Sequence, residues 1–142
     1  MPRKRIPTPD QRLRPRPGLD HAAQRRDAVA TVHVTCSHSR YALGEIVVQT
    51  TYRLRDDRTE TDRPHRIYLN LQPTPVIRAL WEVIFEEAFQ AQLYQAQAIT
   101  IHLAPETVPP PWDQRVYTLV EIVAAELRVV VRGTAMWKSQ QP

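Results

Sequence analysis

One stretch of the chain alternates between apolar and mostly polar side chains: Glu45-Ile46-Val47-Val48-Gln49-Thr50-Thr51-Tyr52-Arg53-Leu54-Arg55. Successive side chains of a β-strand point to opposite faces, so this period of two predicts a strand with one buried face and one solvent face. Residues 28–35, 65–71 and 98–103 show the same period, which predicts four strands in total. Residues 56–64 contain no large apolar side chain and predict a long, charged hairpin tip.

The period changes after residue 74, where apolar residues fall on one helical stripe. Thr74 suits a helix N-cap and Pro75 the first helical position, which predicts a helix over 75–96. Residues 113–132 fit either a helical stripe or a strand, because a clean polar stripe precedes a β-branched run. We favour a helix over 113–127 followed by an extended segment.

These elements predict an α+β fold: a mostly antiparallel four-stranded sheet, covered on one face by one or two helices. The length of 142 residues and the 42% hydrophobic content suit a single domain over residues 27–142. Cys36 is the only cysteine, which excludes a disulfide scaffold and fits a reducing, cytoplasmic location. No apolar run is long enough for a membrane span, and no secretory signal is visible, so we expect no membrane partner.

Residues 1–26 are predicted to form a disordered basic arm. They carry eight of the 19 Lys/Arg residues, two of the 15 acidic residues and five of the 13 prolines. Such a composition buries little surface, and its arginines suit phosphate contacts. We therefore expect Arg12, Arg14 and Arg16 to contribute to nucleic-acid binding; the alternative is a solubilising tail without a partner.

Few acidic residues fall on the predicted uncovered sheet face, since only Glu45 joins it at a strand end. Polar side chains of all four strands are expected there, among them Thr31, His33, Gln49 and Thr100. Arginine forks, hydroxyls and amides all donate hydrogen bonds to phosphate oxygens. An ordinary solvated sheet face is the alternative. The predicted nucleic-acid site consists of Thr51, Arg53, Arg55, Arg66, Tyr68, Asn70 and His102.

No catalytic motif, metal motif or cofactor motif is present, so we expect a chain that is not an enzyme and holds no metal or cofactor. His33, Cys36 and His38 have ligand chemistry, with His65 or His102 as a fourth candidate, but no paired-cysteine or HExxH spacing supports a site. A Cys36 nucleophile lacks a visible oxyanion device.

The stretch from Glu45 to Pro105 resembles the little-finger domain of Y-family DNA polymerases in its order of parts. A strand with an aromatic-basic-aliphatic end (Tyr52-Arg53-Leu54) precedes a turn and a return strand, and Pro73-Thr74-Pro75 then opens a long helix. The resemblance implies that Arg53, Arg55, Arg66 and Tyr68 grip duplex phosphates, that DNA is favoured over RNA, and a role in DNA repair or replication. The family's β-α-β-β-α-β order needs a helix before the hairpin, for which residues 37–44 are too few.

The sequence thus favours non-catalytic nucleic-acid binding by the sheet face and the arm. A protein-interaction or assembly subunit is the alternative, with the arm as a tether and an apolar C-terminal surface as the partner site. That surface requires Val120, Val123 and Leu127 to be exposed as one patch, together with Trp112 and Trp137.

Overall fold

A computed structural model describes residues 19–39, 42–69, 73–104 and 112–133. Three helices and six strands make up this part of the chain. Their bounds are α1 Leu19–Arg25, β1 Val29–Ser39, β2 Ala42–Arg53, β3 Thr59–Thr61, β4 His65–Tyr68, α2 Pro73–Leu93, β5 Ala98–Leu103, α3 Trp112–Leu127 and β6 Val130–Arg132.

The strands form a single mixed sheet in the order β3-β2-β1-β5-β6, and β4 also pairs with β2. Pairs within the hairpin region are antiparallel, whereas β5 runs parallel to both β1 and β6. The expected four-stranded, mostly antiparallel sheet is therefore wrong in strand number and in direction. The physical reason is the connection type: α2 and α3 carry the chain back across the sheet, and a helical crossover delivers the next strand parallel.

The hairpin between β2 and the strands that follow it is tighter than the sequence predicts. The Leu54 N–H donates to the Arg58 carbonyl at 2.7 Å, and the Asp57 N–H donates to the Leu54 carbonyl at 2.9 Å. Asp57 has φ 70°, a left-handed conformation that aspartate tolerates in turns. The long charged tip is thus a short turn, after which β3 begins at Thr59.

Both long helices pack on one side of the sheet. The stripe of α2 that includes Leu80, Ile84 and Ala88 is fully buried against alternate residues of β1 and β2, such as Val32 and Val48. Residues 113–127 are helical as predicted, and the β-branched run after them forms β6, so both signals in that region were real. None of the helices within the described ranges is long and apolar enough to cross a membrane.

The short helix α1 lies inside the predicted arm and is anchored to the hairpin. Arg25 is only 3% exposed. Its Nε donates to Glu60 at 2.9 Å, its Nη2 donates to Asp62 at 2.8 Å, and its guanidinium carbon lies 4.0 Å from the centre of the Tyr52 ring. The arm thus differs from the prediction at its C-terminal end, where residues 19–25 are helical. Residues 1–18, which include Arg12, Arg14 and Arg16, lie outside the described residues.

Candidate nucleic-acid interface

The strand register places alternate residues on the side of the sheet opposite α2 and α3, and we call this set the open face. Partnered residues in adjacent strands point to the same side, so the pairing defines its members. They are Val29, Thr31, His33, Thr35, Glu45, Val47, Gln49, Thr51, Arg53, Thr59, Thr61, Arg66, Tyr68, Ala98, Thr100, His102, Val130 and Arg132.

Five of the predicted site residues lie on the same side of the sheet, the open face: Thr51, Arg53, Arg66, Tyr68 and His102. Arg53 and Arg66 are exposed, and Tyr68 keeps 66% of its surface accessible to solvent. Arg55 is also exposed but lies in the turn beyond β2 rather than on the sheet. Asn70 lies outside the described residues. The strand alternation therefore places these five predicted residues on one side of the sheet.

Carboxylates near the hairpin are held away from the open face. Glu60 and Asp62 bind Arg25 on the helix-covered side, and Asp56 pairs with Arg58 inside the turn at 2.7 Å. The Arg58 side chain and backbone hydrogen bonds lower the pKa of Asp56. Among the open-face residues, Glu45 is the sole carboxylate.

Glu45 is itself engaged, because the Arg66 guanidinium donates to its carboxylate at 2.7 Å. Arg66 is half-exposed and Glu45 is 18% exposed. This pair leaves Arg53 and Arg132 as the cations of the open face that have no ion pair with another described residue. The local charge of the face is therefore positive, although residues 27–142 carry more acidic than basic side chains.

Two histidines lie at the centre of the open face on the parallel strands β1 and β5. His33 and His102 are register partners, and their rings meet edge to face with centroids 5.9 Å apart. Burial, together with the neighbouring His102, lowers the pKa of His33. Its imidazole is therefore neutral at pH 7 and acts as a hydrogen-bonding group there.

Arg132 is a residue of this surface that the sequence analysis missed. It lies on β6 and is the register partner of His102, which extends the row Gln49, His33 and His102 to the edge of the sheet. Gly133 follows with φ 77°, and a Cβ there would clash with the Leu103 carbonyl oxygen, so the end of β6 requires glycine. The run Val129-Val130-Val131 was the available signal, since β-branched residues favour strands.

The three open-face arginines are widely separated. Arg53 and Arg66 flank opposite ends of β2, and Arg132 lies on β6, three strands from β2. Ideal strand spacing of ~4.8 Å and a rise of ~3.4 Å per residue put each pair of Cα atoms about 20 Å apart. The arrangement is a broad triangle around the histidine pair and not a pocket for one small anion.

The fold does not form the two other sites that the sequence offered, a metal site at Cys36 and an apolar C-terminal surface. Cys36 is buried on the covered side of β1, whereas His33 lies on the open face, so the two cannot ligate one ion. The described residues contain no cluster of three or more potential metal ligands. Val120 and Val123 are fully buried, so the exposed apolar C-terminal patch that the alternative function requires is not formed. Trp137 and the side chain of Trp112 lie outside what the structure describes.

Comparison with known proteins gives a weak structural similarity. No protein-family model and no curated protein sequence matches the chain. Among solved structures, it is similar to T. thermophilus RuvC in complex with Holliday junction substrate, with a TM-score of 0.48 and 8% sequence identity. The match covers 72% of this chain and 63% of the RuvC chain, so this chain spans less than two thirds of that protein's length.

Two expectations from the sequence, the family resemblance and the lack of enzymatic activity, do not hold. The resemblance to a Y-family little-finger domain is wrong: no described helix separates β1 from β2 as the β-α-β-β-α-β order requires, and RuvC is among the structures found to be similar. The expectation that the chain is not an enzyme is withdrawn as well, because the lack of a recognisable catalytic motif in the sequence does not exclude catalysis. The preference for DNA and for repair or replication that rested on the little-finger resemblance loses that basis.

Proposed function

We propose that the open face binds a nucleic acid through its phosphate backbone. One observation carries the proposal: Arg53, Arg66 and Arg132 lie on this face with Glu45 as the sole opposing carboxylate. The open face carries three arginines and one carboxylate, so its electrostatic field is positive and attracts a polyanion. Hydroxyl and amide groups between the arginines, such as Thr31, supply neutral donors to phosphate oxygens.

The separation of the arginines favours a polymer over a mononucleotide. Side chains that start about 20 Å apart do not converge on one phosphate. An extended backbone presents successive phosphates and can be held at several of these points. Phosphate contacts carry no base information, so the expected binding has little sequence preference.

The basic arm forms part of the same proposal. Arg25 anchors α1 to Glu60 and Asp62, next to the end of β2 that carries Arg53. The arm therefore joins the folded domain near one corner of the arginine triangle. Replacing Arg12, Arg14 and Arg16 with glutamine is expected to reduce the slope of log affinity against log salt by about 2 to 3, because each lost phosphate contact removes about 0.7–0.9.

Charge reversal on the open face tests the proposal. The full chain carrying R53E, R66E and R132E is titrated against labelled single-stranded DNA, duplex DNA and single-stranded RNA by fluorescence anisotropy. The matched control carries R63E, R115E and R128E, which change the net charge equally at exposed arginines outside the open face and outside the arm. We expect the open-face variant to lose at least tenfold more affinity than the control.

Equal losses in the two variants would overturn the site, since the binding would then follow net charge alone. Circular dichroism and thermal unfolding of both variants establish that each is folded. The three oligonucleotides compared at one salt concentration identify which nucleic acid is preferred.

A further inference from the structure

A groove between α2 and α3 is a second candidate surface, separate from the open face. It has a volume of about 630 Å³. Leu119 and Ile77 line its deeper part, with Leu119 only 4% exposed. Trp81 and Ile122 form its outer part and keep 38% and 53% of their surfaces accessible. The groove thus shows both helices' apolar side chains to solvent.

The apolar surface continues along α2 beyond the groove. The rings of Trp81 and Phe85 stack with centroids 5.0 Å apart, and Phe85 and Phe89 follow at 5.9 Å. Phe89 is 42% exposed, and Leu93, one turn further, is 60% exposed. Residues four apart lie on one helical face, so the stripe is continuous. Contiguous exposed apolar surface of this kind marks interaction sites in monomeric proteins.

Charge selects the occupant of the groove. Arg78 and Arg115 line it and are exposed. Among the residues that the structure describes, no acidic residue lines the groove and neither arginine forms an ion pair. The terminal segments of the chain itself do not complement this charge. Residues 1–18 contain six basic side chains and one acidic one, and residues 134–142 contain one lysine and no acid.

We propose that this groove binds an acidic amphipathic helix of a partner protein. Its apolar face would fill the space between Trp81 and Ile122, as in other helix-in-groove complexes. Its carboxylates would accept bidentate hydrogen bonds from Arg78 and Arg115. The groove lies on the helix side of the sheet and the open face on the other, so this proposal does not depend on nucleic-acid binding.

The test uses two synthetic peptides that share an apolar stripe of leucines at i, i+3, i+4 and i+7. One carries glutamates beside the stripe, and the other carries lysines at the same positions. Fluorescence anisotropy with the full chain is expected to show at least tenfold tighter binding of the glutamate peptide. The R78E/R115E variant should reverse this preference, a result that unfolding cannot produce.

Two further variants define the site. Ile122→Gln is expected to weaken binding of the glutamate peptide at least fivefold, because it removes exposed apolar surface from the groove and leaves the buried core unchanged. The R63E/R128E control has the same net charge as R78E/R115E and should retain the preference for glutamate.

Three results would overturn the proposal. They are an unchanged preference in R78E/R115E, a reversal of equal size in the R63E/R128E control, and self-association of the wild-type chain that Ile122→Gln abolishes. The last result would assign the groove to a second copy of this chain.

Discussion

Arginine and histidine occur on both sides of this sheet, in opposite electrostatic surroundings. On the helix-covered side, Arg25 binds two carboxylates and packs on Tyr52, and His65 binds Glu87 at 3.1 Å. On the open face, Arg53 has no ion-pair partner among the described residues, and His33 faces another histidine. The same side chains are therefore structural on one side and available for a ligand on the other.

The difference arises from the placement of the carboxylates. Glu60 and Asp62 pair with Arg25 on the covered side, and Glu87 binds the imidazole of His65 there. Partly buried charges need partners, since leaving one unpaired costs several kcal/mol. Exposed cations have no such requirement, because water solvates them, and they can bind a phosphate. The open face has a positive field because these carboxylates lie on the other side of the sheet.

The largest effect is expected from Arg25→Met, which removes the buried cation of the covered side. The Glu60 and Asp62 carboxylates would lose this guanidinium but are 24% and 32% exposed, so water would compensate in part. We expect a loss of about 2–3 kcal/mol in the free energy of unfolding. Urea denaturation measures it. Arg58→Met removes an exposed pair in the turn and should cause no measurable change; equal effects of the two variants would break the comparison.

A smaller effect is expected from the two histidines, with opposite signs. The hydrogen bond to Glu87 raises the pKa of His65, so its stabilisation is complete below about pH 6.5 and is lost as the pH rises through the folded-state pKa. Burial lowers the pKa of His33, so its neutral form favours folding above about pH 6.5, and stability falls at lower pH.

Unfolding free energies of His65→Gln and His33→Gln between pH 5 and pH 8 check this contrast. Each effect should stay below about 1 kcal/mol, because His65 is 44% exposed and solvent screens its ion pair. His65→Gln should reduce the fall in the free energy of unfolding toward pH 8. His33→Gln should reduce the fall toward pH 5. Slopes of the same sign would show that the two sides of the sheet do not differ as described.

The smallest effect is expected from Glu45→Gln, which removes the last carboxylate of the open face. Arg66 would be released from its 2.7 Å ion pair. Exposed ion pairs contribute about 0.2–1 kcal/mol, so we expect nucleic-acid affinity to rise by a factor of about 1.4 to 5. Anisotropy titration at low salt measures this gain. Weaker binding would mean that Glu45 positions Arg66 instead of competing for it.

Much of the surface could be predicted from the sequence because side-chain alternation is local. The period of two assigned Thr51, Arg53 and Tyr68 to one side of their strands, and the bounds of β5 agree with the prediction. Strand direction could not be obtained from the period, since it depends on how helices return the chain. The rule that a helical crossover joins parallel strands was an unused signal.

The sequence by itself determined which faces are apolar, where the long helices lie and that the cations and carboxylates are unevenly distributed along the chain. Only the tertiary structure decided which charges meet. Arg25 is separated from Glu60 and Asp62 by more than thirty positions along the chain, and Arg132 joins His102 only through β6 pairing. Hydrophobic periodicity is set by neighbours along the backbone, whereas an ion pair requires two distant segments to be brought together by packing.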